Sequence, residues 1–255
     1  MSNELRPTRA TLFFLAFFVA ANAALAQGGP PFATDDPGTP GNRQWEVNLA
    51  FTFETRARER TFETPLLDAN YGIGERIQLK VEIPWIVQHT EGAGTDTGWG
   101  NALFGVKWRF LDEEKNGISI ATYPQVEINA SLSSARKGLA EEETSFLLPV
   151  LFEKKLGPVS ANVEVAHRFR RGSKGEWIFG LAVGRDFSEK FEVAGEVFAT
   201  TSSRVSDPIS IWNLGARWKA AEHSVLLFSA GTGISGTDDE PRARFQGYLG
   251  VQFLF

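Results

Sequence analysis

No cysteine occurs in the 255 residues, which removes disulfide frameworks, thiolate metal sites and lipidation at a lipobox cysteine. Methionine is scarce at one residue, and histidine is confined to His89, His167 and His223. The three histidines belong to separate segments, none at metal-ligand spacing. Neither a His-Glu-x-x-His nor a Gly-x-Ser-x-Gly pattern is present, so the usual motifs of zinc peptidases and serine hydrolases are missing. Beyond residue 21 no apolar run approaches the ~20 residues of a spanning helix. A net charge of −5 without a basic block argues against nucleic acid as a partner.

Residues 1–26 carry the marks of a secretory signal. Arg6 and Arg9 form a basic start, Thr11 to Ala21 is apolar, and Ala24-Leu25-Ala26 fits a small-x-small cleavage site before Gln27. The remaining chain would hold 24 basic and 30 acidic residues, a net −6. Hydrophobic residues make up 42%, yet mean hydropathy is −0.17, too polar for a helical membrane protein. A barrel whose strands alternate lipid-facing and water-facing residues reconciles the two values. The 25 Gly, 21 Phe and 7 Trp suit strands, turns and interfacial aromatics.

Period-2 alternation is the dominant pattern from Gln44 onward. In 76–88, Ile77, Leu79, Val81, Ile83, Trp85 and Val87 share one face, and Arg76, Gln78, Lys80, Glu82 and Gln88 share the other. Residues 45–54 and 101–110 repeat it. Further strands are predicted at 62–71, 118–130, 145–156, 159–169, 177–186, 191–201, 209–218, 224–233 and 244–255, twelve in all, an even number as in single-chain bacterial barrels. The closing segment places Phe245, Gly247, Leu249, Val251, Phe253 and Phe255 on one face. A soluble two-sheet sandwich is the competing architecture for such alternation.

Connections alternate in length. The short ones fall near 72–75, 111–117, 156–158, 187–190 and 219–223, and the longer ones near 54–61, 89–100, 131–143, 170–175, 202–208 and 234–243. Short periplasmic turns and longer outer loops are expected, and an even strand number places both termini in the periplasm. On that topology Trp45, Trp108 and Trp218 fall at the periplasmic ends of strands, Trp85, Trp177 and Trp212 at the outer ends, and Trp99 in a loop. Two aromatic girdles require that placement, whereas a sandwich would put tryptophan mid-strand. The predicted class is therefore all-β: a transmembrane antiparallel up-and-down β-barrel of about twelve strands over 44–255. A Gly/Pro-rich segment, 27–43, either hangs in the periplasm or enters the lumen as a plug.

Three stretches, Pro31-Phe-Ala-Thr-Asp-Asp-Pro-Gly-Thr-Pro-Gly41 followed by Trp45-Glu46, then Tyr71-Gly-Ile-Gly-Glu-Arg76, then Gly98-Trp-Gly-Asn-Ala-Leu-Phe-Gly-Val-Lys-Trp-Arg-Phe110, resemble in order the MetA-pathway of phenol degradation family. The resemblance spans most of 31–255 and implies an outer-membrane, transporter-like barrel associated with aromatic-compound degradation. Gly100-Asn101 stands where the family commonly shows Gly-Asp, so no role for that acid carries over. The resemblance brings no catalytic residue and no cofactor.

The inward charges are the chemistry left to read. Lys80, Glu82, Lys107, Arg109, Glu127, Glu164, Arg168, Glu192, Glu196 and Arg217 are the candidate lumen-lining residues. Hairpin pairing across 89–100 is expected to set Glu82 against Lys107 or Arg109, and Glu192 against Arg217 across the turn near 205; Glu164 and Arg168 share one side of a strand. Such charges either brace a narrow lumen or line a selective channel. The Asp35-Asp36 and Asp238-Asp239-Glu240 clusters read as solvated loop charges rather than calcium sites. The expected function is passive uptake of small solutes, hydrophobic or aromatic ones by the resemblance. The alternatives are a sealed structural or stress-related barrel and an outer-membrane lipase using His167. Expected partners are outer-membrane lipid and lipopolysaccharide, small-molecule solutes, and the barrel assembly machinery through Phe255.

Overall fold

A strand that is apolar on one face only must find lipid or a core for that face, and its backbone must find partners on both edges. Closing the sheet on itself meets both demands. The computed structural model describes residues 29–172, 175–202, 208–237 and 241–255, and the signal-like segment 1–26 lies outside them. The strands are β1 (Trp45–Thr55), β2 (Glu59–Ile73), β3 (Ile77–Thr90), β4 (Gly94–Trp99), β5 (Asn101–Leu111), β6 (Ser119–Thr122), β7 (Gln125–Asn129), β8 (Ser145–Leu156), β9 (Val159–Arg170), β10 (Glu176–Ser188), β11 (Phe191–Ser202), β12 (Ile209–Ala221), β13 (Ser224–Ser235) and β14 (Phe245–Leu254). Two short helices, α1 (Glu113–Asn116) and α2 (Leu132–Arg136), lie in connections.

The fourteen ladder segments make a closed barrel of 12 antiparallel strands. β4 and β5 are one strand interrupted at Gly100, and β6 and β7 are another interrupted at Tyr123-Pro124. Closure comes from β1 against β14, in register from Glu46↔Leu254 to Thr55↔Phe245. Beyond that ladder, Trp45 and Phe255 exchange backbone hydrogen bonds of 3.0 Å each. The terminal Phe255 is thus part of the seam.

Four expectations need correction. The predicted long loop 89–100 is a tight hairpin: β3 runs to Thr90 and β4 starts at Gly94. Gly92 and Gly94 take φ of 82° and 106°, backbone that lets the chain reverse in so few residues. The Gly/Thr composition of Gly94-Thr-Asp-Thr-Gly-Trp99 hid its strand character. Consequently Trp99 is not in a loop; it lies on β4, edge-on to Trp85 with ring centroids 5.0 Å apart. Similarly, the expected loop 54–61 shrinks to three residues between β1 and β2. The expected continuous strand 118–130 breaks because Pro124 has no N–H to give the ladder.

Outward side chains form an apolar exterior. Leu49, Leu79, Val81, Phe104, Val106, Leu181, Val197 and Leu249 are all exposed. Trp45, Trp108 and Trp218 lie at one rim and Trp177 and Trp212 at the other, all exposed. No soluble protein carries so continuous an apolar surface; this is a lipid-facing wall with two aromatic girdles. At the outer end, the segment carrying α2 folds against the inward face of β4. Ser131 caps α2, its hydroxyl accepting from the Ser134 N–H at 3.4 Å, and a Cβ on Gly98 would strike the Ser134 hydroxyl at 2.4 Å.

Candidate functional site

Inside the barrel this wall meets water and polar side chains together, and the N-terminal segment lies there. Residues 29–36 enter between the strands, with Phe32, Thr34 and Asp36 buried. Asp35 and Asp36, expected as solvated loop charges, are therefore enclosed, because the segment enters the barrel instead of staying in solvent.

One half of the wall holds the segment directly. The Thr34 N–H donates to Glu196 Oε1 on β11 at 2.5 Å, and the Asp35 N–H to Glu164 Oε2 on β9 at 2.9 Å. Arg217 on β12 donates to the carbonyls of Pro30 at 3.1 Å and Gly29 at 3.0 Å, and Ser229 on β13 to that of Pro31 at 2.7 Å. Lys107 on β5 reaches Asp35 Oδ1 at 2.8 Å. Room for the backbone comes from small inward residues: Ala166 on β9, Gly180, Ala182 and Gly184 on β10, Ala194 on β11 and Gly215 on β12. A Cβ on Gly180 would sit 2.5 Å from the Thr34 hydroxyl, and one on Gly215 would sit 2.9 Å from the Phe32 ring. Arg217 also stands over that ring at 5.6 Å and pairs with Glu192 at 3.1 Å, its register partner across the hairpin.

The other half, β14 through β3, satisfies itself. Asp68 accepts from Asn48 at 3.1 Å and Asn70 at 3.0 Å, and Gln78 donates to Asn70 at 2.6 Å and to the Tyr123 hydroxyl at 3.2 Å. Lys80 lies between Asp68 at 3.4 Å and Glu82 at 2.8 Å. Glu82 therefore does not face Lys107 or Arg109 as expected: its register partner on β5 is Leu103, and Lys107 lies opposite Gln78. Lys107 is taken by Asp35, and Arg109 is tied to the periplasmic turns through Asp112 at 2.9 Å and the Glu75 carbonyl at 2.6 Å. Higher in the barrel, Glu127 accepts from Asn101 at 2.9 Å and Ser145 at 3.2 Å, while Arg168 lies 3.8 Å from Glu127 and 3.9 Å from Glu176. Burial alone would raise the Asp35 carboxyl, but Lys107 and then Lys80 outweigh it and hold it below the ordinary carboxylate range. The Asp238-Asp239-Glu240 cluster lies outside the described residues.

Two cavities flank the segment. The outer one, about 1000 Å³, is acidic on the β1–β3 side, with Glu54, Glu59, Glu63 and Glu82. Its apolar contacts are Phe32, Leu66, Leu103, Leu147, Ile178, Phe198 and Ile211, interspersed with Arg56, Arg58, Gln125, Arg168, Asn213 and Gln246. The inner one, about 230 Å³, reaches the periplasmic rim at Trp45 and Leu254 and is lined by Asp36, Glu46, Asp68, Gln78, Lys107 and Gln252 among others. Among the described residues no cluster of three metal-ligating side chains occurs.

No family model matches the chain, nor does any curated protein sequence. Solved structures do share its fold. The chain is similar to the COG4313 outer membrane channel from Pseudomonas putida F1 at 12% identity, over 86% of this chain and 98% of that one, with a TM-score of 0.68. It is also similar to the KdgM porin at 12% identity, over 82% and 99%, with a TM-score of 0.57. A third likeness is to the CymD monoaromatic hydrocarbon channel at 6% identity, over 84% and 89%, with a TM-score of 0.51. The class is thereby defined: a closed β-barrel of the Gram-negative outer membrane. At such identities the likeness speaks for the fold, and the cargo has to be argued from the lumen itself.

Proposed function

We propose that this chain is a passive outer-membrane channel for small molecules, with an outer cavity suited to apolar and aromatic solutes. The observation that carries the reading is that cavity: large enough for a small organic molecule, and offering Phe32, Leu66, Leu103, Leu147, Ile178, Phe198 and Ile211 as apolar contacts among its charged and polar lining. The resemblance to the phenol-degradation family supports aromatic solutes, as does the fold shared with a channel described as one for monoaromatic hydrocarbons. Growth of a deletion strain on a panel of aromatic carbon sources at limiting concentration tests it. Slower growth on at least one of them, restored by the gene, is expected. Unchanged growth on all, together with no conductance steps in planar bilayers, would favour a sealed barrel instead.

The segment in the lumen gives the sealed-barrel reading its one specific support. A lipase reading gains none. His167 faces outward between the rings of Trp177 at 4.7 Å and Phe169 at 4.4 Å, and its Nδ1 has no hydrogen-bond partner among the described residues. A histidine so placed is girdle packing, and His167→Ala should leave any phospholipid hydrolysis at background. We further assign Phe255 as the terminus read by the barrel assembly machinery, with lipid and lipopolysaccharide as the surrounding partners. Deleting Phe255 removes the two seam bonds to Trp45 and should lower the yield of inserted protein.

A further inference from the structure

The two cavities are not separated by the whole of the N-terminal segment. Both are lined by Gly29, Pro30, Asp35 and Lys80, and by no other residue in common. Three of those belong to the segment, and the fourth is a wall residue of β3. Both cavities also reach the β14–β3 side of the lumen, although other strands line them too. The bonds from residues 29–35 to the wall run to β5, β9, β11, β12 and β13, whereas the lining from the other side comes from β14, β1, β2 and β3: Tyr248, Glu54, Glu63 and Glu82 above, Gln252, Glu46, Asp68 and Gln78 below.

On the channel reading above, we propose that small ions cross with the N-terminal segment in place. They pass along the β14–β3 wall through a neck formed by the Lys80 side chain against Asp35 and the Gly29-Pro30 backbone. Lys80 is the specificity-determining residue of that path. It is the group whose displacement joins the cavities, because a lysine stem has four rotatable carbons whereas the opposing Gly29-Pro30 backbone is fixed by Arg217. It also carries a positive charge at the neck, between Asp68 at 3.4 Å and Glu82 at 2.8 Å, whereas Lys107 is paired with Asp35 at 2.8 Å and Arg217 is bonded to the Gly29 and Pro30 carbonyls. The Asp68 and Glu82 carboxylates, with Glu59 and Glu63 above and Glu46 below, line the path on either side of Lys80, and Arg56 and Arg58 stand among them at the outer end. The charges lining such a path set which ion enters.

The test uses the mature protein in planar bilayers, with the segment locked. The chain has no native cysteine, so Thr34→Cys with Gly180→Cys forms a unique pair. A Cβ at Gly180 lies 3.0 Å from that of Thr34, short of the roughly 3.8 Å usual across a disulfide, so the segment needs only a small outward shift. The oxidised channel should keep the ion conductance of the reduced one. In that locked background Lys80→Ala should raise unit conductance about twofold and move the reversal potential towards cations. Lys80→Met, which keeps the stem and loses the charge, should move the reversal potential with little change in conductance. It also serves if Lys80→Ala fails the heat-shift assay for a folded barrel. Conductance that vanishes on oxidation and returns on reduction would overturn the proposal, since the segment would then have to leave. So would a conducting locked channel indifferent to both Lys80 substitutions. Absence of steps in oxidised and reduced protein alike would overturn the channel reading itself.

Discussion

The two halves of the lumen wall solve one problem differently. From β9 to β13 the inward positions level with the N-terminal segment include small ones, as at Ala166, Gly180, Ala182, Ala194 and Gly215, and charged ones spent on that segment, as at Glu164, Glu196 and Arg217. From β14 to β3 they are mid-sized and polar, and they bond to one another: Asn48, Asp68, Asn70, Gln78 and Lys80. One half is incomplete without the segment, because its buried donors and acceptors would lose their partners and its glycines would face a void. The other half is complete, so the space beside it remains open. A barrel of this size can thus hold a peptide in its lumen and still keep a path past it, provided the two kinds of inward surface are segregated around the circumference.

The strongest way to break the comparison is to remove the segment. Deleting residues 29–40 joins the two cavities over the full cross-section and should raise unit conductance several-fold, measured in planar bilayers; an unchanged value would place the segment elsewhere. Next is Arg217→Ala, which releases the Gly29 and Pro30 carbonyls and strands Glu192 in a site where both side chains are nearly inaccessible. A cost of about 3–5 kcal/mol is expected from breaking such a pair, read as a lower temperature for the heat-induced gel shift. The matching removal on the open half, Glu82→Gln, should cost at most about 1 kcal/mol because Lys80 keeps Asp68 and water reaches the pair.

A sharper effect is expected at Gly180. Valine suits a strand better than glycine does, yet its Cβ would press on Thr34 from 2.5 Å. Gly180→Val should therefore destabilise the intact chain by about 1–3 kcal/mol and be neutral or stabilising once residues 29–40 are deleted, a coupling that a double-mutant cycle measures. Other substitutions test only the phase of the wall. Ile83→Gln puts an amide among lipid and should reduce insertion by about 1–3 kcal/mol, visible as a lower yield in the outer membrane. If it is silent while Glu82→Gln blocks insertion, the inward and outward faces of β3 are exchanged.

The exterior of this barrel was legible because lipid imposes a rule on every strand separately: each second residue must be apolar, and the aromatics must collect at the rims. That rule reads locally, so Ile77 to Val87 and Trp45, Trp108 and Trp218 could be placed without knowing their neighbours. The interior obeys no such local rule. Glu82 was expected opposite Lys107 or Arg109, but the hairpin at 91–93 and the break at Gly100 set the register, and Lys107 had a stronger partner in Asp35, 72 residues away in sequence. The signal for the occupied lumen was nonetheless present. Gly180-x-Ala182-x-Gly184, Ala194 and Gly215 leave a patch of the wall with little inward side-chain bulk, and a buried gap of that kind must be filled by some other part of the chain. The Pro31-to-Gly41 stretch, rich in Gly, Pro and Asp, was the only candidate free of strand pattern and tethered next to β1.

Segregation of the lumen into a covered and an open half is the central claim, and thiol accessibility tests it most directly in a chain that has no cysteine of its own. Single cysteines at Glu82, on the open half, and at Ala182 and Ala194, on the covered half, would be exposed to a small water-soluble maleimide in outer-membrane vesicles. Rapid labelling of Glu82→Cys, with slow labelling of Ala182→Cys and Ala194→Cys that becomes rapid when residues 29–40 are deleted, is the expected result. Equal rates at all three positions in the intact chain would contradict it.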